Sequence, residues 1–193
     1  MHVANAIEMS EGAIFINAGP MAHFASGDLS KPLTGLEMSS EEQLHDPGMG
    51  FVVEDGVFSK ILPSDEIIDE FRNQAMVDLH GRAIVPGYVD AHSHLLWDGD
   101  RSNEMRLRQQ GMSYAEIAAS GGGIRFTVAQ TRRCTNFDSI ARKRLDLALS
   151  HGTTSIEAKS GYGLETETEL VMLDVYQKIQ NHEGVNVTPT WMG

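Results

Sequence analysis

Hydrophobic and polar positions change their period once along this chain. Up to about residue 85 the apolar residues come in short β-type runs. Ala13-Ile14-Phe15-Ile16-Asn17-Ala18 closes on Gly19-Pro20 and predicts a strand and a turn. Phe51-Val52-Val53-Glu54 and Val57-Phe58-Ser59-Lys60-Ile61-Leu62 flank Asp55-Gly56, a strong hairpin dipeptide. Met76–Leu79 and Arg82–Val85 flank His80-Gly81 and predict a second hairpin. Between the hairpins, Ser64 to Gln74 has helical spacing, with Ile67, Ile68 and Phe71 apolar. Residues 1–12 read as frayed. Residues 25–49, polar and rich in Gly, Pro and Ser, read as a surface loop with a short helical turn near Ser40-Glu41-Glu42.

After residue 85 strands alternate with helices. An apolar run enters through Pro86-Gly87 and reaches His94. Helical patterns cover Asn103–Gln110 and Ser113–Ala119, the latter opened by a Ser113/Glu116 capping box. Gly121-Gly122-Gly123 interrupts the chain before another helical run to Arg133. Asp138–Ser150 is helical, with Ala141, Leu145, Ala148 and Leu149 on one face, Asp138 at its start and Gly152 at its end. Thr153–Ala158 is a strand. Glu165–Gln180 is a helix with Met172, Val175, Tyr176 and Ile179 as its buried stripe, and Val185–Trp191 is a further strand. This alternation predicts an α/β unit with a parallel sheet at 86–193, preceded by a small β-rich, sandwich-like unit at 1–85.

The candidate chemistry lies on the first of these strands. In Tyr88-Val89-Asp90-Ala91-His92-Ser93-His94, residues two apart share a face. Tyr88, Asp90, His92 and His94 are therefore expected together, on a buried parallel strand. Two imidazoles one rung apart can converge on one divalent metal ion; they can equally be a hydrogen-bonded pair of core histidines. Two ligands are fewer than the three that a catalytic zinc usually takes from protein. Asp90 is expected as a partner of the histidines or, slightly favoured, as a polar residue of the core.

Arg101, in the loop beyond this strand, is either a solvated arginine or a fork for a carboxylate. Tyr162, in Ser160-Gly161-Tyr162-Gly163, can stack on a flat ring and donate a hydrogen bond, or pack as a lid. The triple glycine can leave N–H groups for an anion or act as a connector. Glu157 and Lys159 share a face and can pair. His151 is expected at a helix end, and Arg106 and Arg108 on a solvated helix surface.

Composition narrows the classes. The chain has 193 residues, 41% of them hydrophobic and 22% charged, with a formal net charge of −12. A basic footprint for nucleic acid is absent, and no run approaches the roughly 18 apolar residues of a membrane span. Cys134 is the single cysteine, so no internal disulfide forms; it lacks a neighbouring base and is a poor nucleophile candidate. Met1–Ser10 have neither the basic nor the apolar region of a secretory signal, and a cytoplasmic protein is expected.

Pro86-Gly87-Tyr88-Val89-Asp90-Ala91-His92-Ser93-His94 resembles the first barrel strand of the amidohydrolase superfamily. Gly99-Asp100-Arg101, Gly121-Gly122-Gly123-Ile124 and Glu157-Ala158-Lys159-Ser160-Gly161-Tyr162-Gly163-Leu164 narrow the resemblance to the imidazolonepropionases of histidine degradation. It runs in order from about Ala13 to Gly193. It implies an incomplete (β/α)8 TIM barrel with about three strands present, since a whole barrel takes roughly 250 residues. The implied activity is metal-dependent hydrolysis of a cyclic amide C–N bond, from 4-imidazolone-5-propanoate to N-formimino-L-glutamate. His92 and His94 would hold one divalent metal, zinc or iron. Arg101 and Tyr162 would bind a small-molecule substrate with a carboxylate arm. The remaining ligands and the general base are expected beyond Gly193, and a homodimer is compatible with the family. The alternatives are another amidohydrolase, such as a ring deaminase, or a fragment that is inactive alone and prone to associate.

Overall fold

The computed structural model describes residues 12–22, 31, 34–39, 44–182 and 184–192. The expected fraying of 1–12 and the helical turn near Ser40-Glu41-Glu42 fall almost wholly outside them. The chain divides into two compact units, Met1–Pro86 and Gly87–Gly193.

The first unit is built on a four-stranded sheet in the order β5-β4-β1-β6, with β1 Ala13–Ile16, β4 Met49–Glu54, β5 Val57–Pro63 and β6 Val77–Asp78. A two-stranded sheet pairs β2 Met21–Ala22 with β3 Leu44–His45, and a 3₁₀ helix spans Gly35–Ser39. The Asp55-Gly56 hairpin forms as expected: both residues have positive φ, 50° and 77°. Helix α1 is shorter than its pattern, Ser64–Glu70, and lays Ile67 against Ile14 and Val52. On the other side of the sheet Phe15 stacks on Phe51 at 4.7 Å, in a cluster with Ala18 and Met21.

The second expected hairpin is a turn without a ladder of its own. His80 and Gly81 have φ of 51° and 73°, and Arg82 N donates to the Leu79 carbonyl at 3.0 Å. Each arm is claimed by a third segment instead. β6 runs parallel to β1, Leu79 N donates to Ile16 O, and Ile84 exchanges bonds with Pro20 and Ala22. Every backbone group needs a partner, and residues 16–22 supply them to both arms.

The second unit has a sheet in the order β7-β8-β10-β9: β7 Tyr88–Ser93, β8 Thr153–Lys159, β9 Asn181–His182 and β10 Val185–Thr190. β7, β8 and β10 are parallel; β9, which the hydrophobic pattern did not show, runs antiparallel to β10. Helices α2 Ser102–Gln109, α3 Tyr114–Ala119, α4 Ile124–Thr131 and α5 Phe137–Ser150 connect β7 to β8, and α6 Thr166–Lys178 connects β8 to β10. The core gathers Ile156 and Ala158 of β8, Val185 and Val187 of β10, Ala141 and Leu145 of α5, and Met172, Val175 and Tyr176 of α6. Alternation on β8 turns Glu157 and Lys159 the other way. The capping box at Ser113 is present, whereas α5 begins after Asn136 and Asp138 pairs with Arg142 one turn on.

β7 departs from its expectation. It is not buried: Tyr88 is 62% and Val89 73% exposed. Among the described residues it is an edge strand paired with β8 alone, so no second neighbour covers it. Its register also shifts between Tyr88 and Val89 and between Asp90 and Ser93. A one-residue slip reverses which way a side chain points, so the alternation counted from Tyr88 does not carry through to His92. Asp90 is exposed, and its Oδ1 accepts from the His92 amide at 3.1 Å, so it is not a core residue.

Candidate active site

The carboxyl ends of β7 and β8 lie side by side, where open parallel sheets receive ligands. His92 and His94 meet there with ring centroids 5.5 Å apart and planes at 67°. His94 in turn meets the Tyr162 ring edge-on at 5.0 Å, and Trp97 lies 6.2 Å from Tyr162. His92 is exposed and His94 half-buried. The Nδ1 of His94 is buried and has no hydrogen-bond partner among the described residues. A buried polar atom left without a partner is costly. A lone pair donated to a Lewis acid is one way to satisfy it, and paired imidazoles are the donor chemistry of zinc and iron. The two residues thus fit a metal ion. Among the described residues no group of three or more His, Cys, Asp or Glu side chains assembles to complete a ligand set.

Beside them, Lys159 forms an ion pair with Glu157, whose Oε1 also accepts from Thr190 Oγ1 at 2.7 Å. The Lys159 ammonium, then the Thr190 hydroxyl, holds the Glu157 carboxyl below its ordinary range, and the His92 charge adds to the effect.

Tyr162 is set by its loop. Glu169, 2% exposed on the first turn of α6, accepts backbone N–H bonds from Gly161 at 2.5 Å, Gly163 at 2.7 Å and Leu164 at 2.8 Å. Arg132 closes the other side, donating to the carbonyls of Gly163 at 2.7 Å and Leu164 at 2.9 Å. Gly163 has to be glycine, because a Cβ would stand 2.6 Å from Thr168 Cβ. The loop after β7 is fixed as firmly. Arg144 of α5 donates to the Leu95 carbonyl at 2.7 Å and lies over Trp97 at 4.1 Å. Burial lowers the Arg144 pKa from its ordinary value. Tyr176 ties the two strand ends together: its hydroxyl accepts from Leu96 N at 3.2 Å and donates to Lys159 O at 3.1 Å.

Arg101 precedes α2 and is held by Glu104 through two hydrogen bonds, Nε to Oε1 at 2.9 Å and Nη2 to Oε2 at 2.7 Å. The expected residues therefore divide. His92, His94 and Tyr162 form one cluster, while Arg101 is engaged by a carboxylate of its own helix. Trp97, Glu104, Arg132, Arg144 and Glu169 escaped sequence reasoning. Only Glu104 left a signal, its spacing of three from Arg101 at a helix start. Glu169 and Arg132 bind backbone atoms of a loop, which no side-chain pattern reveals.

No family model matches the chain. Curated relatives do. An imidazolonepropionase of Brevibacillus brevis is 35% identical over 183 residues, 92% of this chain and 42% of that protein. One of Shewanella sediminis is 49% identical over 115 residues, 58% of this chain and 28% of that protein. A probable imidazolonepropionase of Homo sapiens is 40% identical over 153 residues, 76% of this chain and 36% of that protein. The chain thus spans about two-fifths of the first of these relatives and less of the others. Among solved structures, a triazine hydrolase from Arthobacter aurescens superposes with a TM-score of 0.53 at 11% identity, over 94% of this chain and 35% of that one, which is a likeness of fold.

Proposed function

We infer that a chain 35% identical to an imidazolonepropionase over 92% of its own length is the N-terminal portion of such an enzyme, a metal-dependent amidohydrolase that opens a cyclic amide. On this reading β7, β8 and β10 are the first strands of an incomplete (β/α)8 barrel, and residues 1–85 are the accompanying β-rich unit. His92 and His94 hold a divalent ion, zinc or iron. When bound, such an ion supplies polarisation of the ring carbonyl and a water of lowered pKa. The substrate is 4-imidazolone-5-propanoate and the product N-formimino-L-glutamate. Tyr162, clamped from both sides, presents its ring edge beside His94 and gives a flat heterocycle a wall to lie against. Arg101 takes the propanoate arm. Glu157, ionised beside Lys159, keeps a negative charge near His92.

One observation carries the reading: His92, His94 and Tyr162 converge at adjacent strand ends, and the buried Nδ1 of His94 lacks a partner. Turnover of 4-imidazolone-5-propanoate by the complete gene product, loaded with zinc or iron, tests it. Ring opening is expected, is abolished in His92→Ala, and shows a raised KM in Arg101→Ala. Metal binding without turnover of this substrate would remove the substrate assignment.

The exposed edge of β7 favours a second statement. A strand with one neighbour and with Tyr88 and Val89 exposed is an invitation to pairing. The 193-residue chain on its own is expected to be inactive and to associate. A monodisperse and active preparation would overturn that.

A further inference from the structure

Glu104 reaches past Arg101 to the triple glycine. Glu104 is 8% exposed, and its carboxylate accepts three hydrogen bonds: the two from Arg101, and one from Gly123 N to Oε1 at 2.7 Å. Gly123, with φ of 72°, is the N-cap of α4. A Cβ on Gly122 would stand 2.9 Å from Glu104 Oε1 and 2.9 Å from Ile117 Cγ2. One glycine amide, that of Gly123 at the start of α4, therefore receives an anion, and that anion is a side chain of the protein itself, while the amides of Gly121 and Gly122 go to the carbonyls of Ala118 and Ile117. With the Arg101 guanidinium first and the Gly123 amide second, Glu104 is pushed down to about 2 and stays charged at any ordinary pH.

A guanidinium offers a carboxylate two edges, Nε with Nη2 and Nη1 with Nη2. Glu104 occupies the first. Arg101 remains one-third exposed. The geometry points to Glu104 as a positioning residue: it locks Arg101 by the Nε–Nη2 edge and so makes the Nη1–Nη2 edge the recognition surface for the carboxylate arm of the substrate. This rests on the reading of Arg101 given under Proposed function. The rotamer entropy of the arginine is then lost on folding rather than on binding. The pair is also electrically neutral overall, so it selects a carboxylate by short-range hydrogen-bond geometry rather than by long-range attraction.

The test compares Glu104→Gln and Arg101→Ala in the complete, metal-loaded gene product, using the propanoate-armed substrate and its methyl ester. In Glu104→Gln, KM for the acid is expected to rise about tenfold with a much smaller change in kcat, while KM for the ester stays put. Arg101→Ala is expected to show the same selectivity, more strongly. If Arg101→Ala spares the acid, both the Arg101 assignment and this inference fall. If Arg101→Ala discriminates and Glu104→Gln does not, or if Glu104→Gln affects acid and ester equally, the inference falls and the Arg101 assignment stands. Should Glu104→Gln fail to fold, the Arg101 Nε–H resonance of the unaltered protein decides, assigned with Arg101→Lys and titrated with 3-(imidazol-4-yl)propanoate. Binding that leaves this resonance in place supports the lock. Binding that moves it to a new shift means the ligand has displaced Glu104, and overturns it.

Discussion

Tyr176 is fully buried, and its hydroxyl joins the segment after β7 to the end of β8. Desolvation raises its pKa from the ordinary value, so it stays a neutral phenol that both donates and accepts. Tyr176→Phe keeps the ring in the core but strands the Leu96 N–H and the Lys159 carbonyl. A buried backbone group without a partner costs about 1–3 kcal/mol, and urea unfolding should register a loss of that size. A change within error would show that these groups find other partners. His92 and His94 differ in burial, and that sets a second expectation. Either alanine variant should bind less zinc than the unaltered protein by elemental analysis. In metal-free protein, urea unfolding of His94→Ala should show a small stability change, because the lost ring contacts with Tyr162 and His92 are offset by removal of an unpartnered buried nitrogen. Single residues were the most legible scale in the sequence for side chains that act on each other. Lys159 and Glu157 pair as their shared face suggested, and Ser113 and Glu116 form their box. Asp90 was expected in the core and is exposed, because β7 lies at a sheet edge and both of its faces are open, which the alternation along the strand does not reveal.

Elements were legible wherever a stripe of apolar residues met a core. Met172, Val175 and Tyr176 of α6, and Ile179 just past its end, are all buried as expected. The failures were cases of backbone competition. The arms around His80-Gly81 carry good strand residues, and nothing in them says that residues 16–22 will claim both. The loop holding Tyr162 illustrates the same limit, since its geometry comes from Glu169 and Arg132 acting on peptide groups. Gly163→Ala should displace the start of α6, because backbone-linked Thr168 Cβ at 2.6 Å cannot step aside as a flexible side chain would. Glu169→Ala frees three N–H groups at once. Both variants should lower the melting temperature and should also weaken substrate binding in the complete gene product. Retained binding with lowered stability would separate the loop from the site.

At the scale of the whole molecule, the carboxylates with shifted pKa among the described residues all move the same way. Glu104 lies at about 2 against an ordinary 4.5, and Asp78, Asp100, Glu116, Asp138 and Glu157 are lowered as well. A carboxyl whose folded pKa is depressed contributes stability above its unfolded pKa and loses it as pH falls through the folded value. The melting temperature should therefore fall as pH drops from about 5 towards 2. Protonation also relieves the repulsion of a net charge of −12, which acts in the opposite sense. The specific bonds should win, because that repulsion is screened beyond about 10 Å at 0.1 M salt while charge-assisted bonds near 2.7 Å are not. An unchanged melting temperature at pH 3 would show the reverse.

The strand order β5-β4-β1-β6 also sets a timetable. β1 is an interior strand, and both strands that flank it are encoded after it. A ribosome adding about 5–20 residues per second therefore leaves Ala13–Ile16 waiting several seconds before Val77–Asp78 emerges to close its second side. During synthesis β1 is made before both of its neighbours, and its apolar residues stay open on one side for that interval.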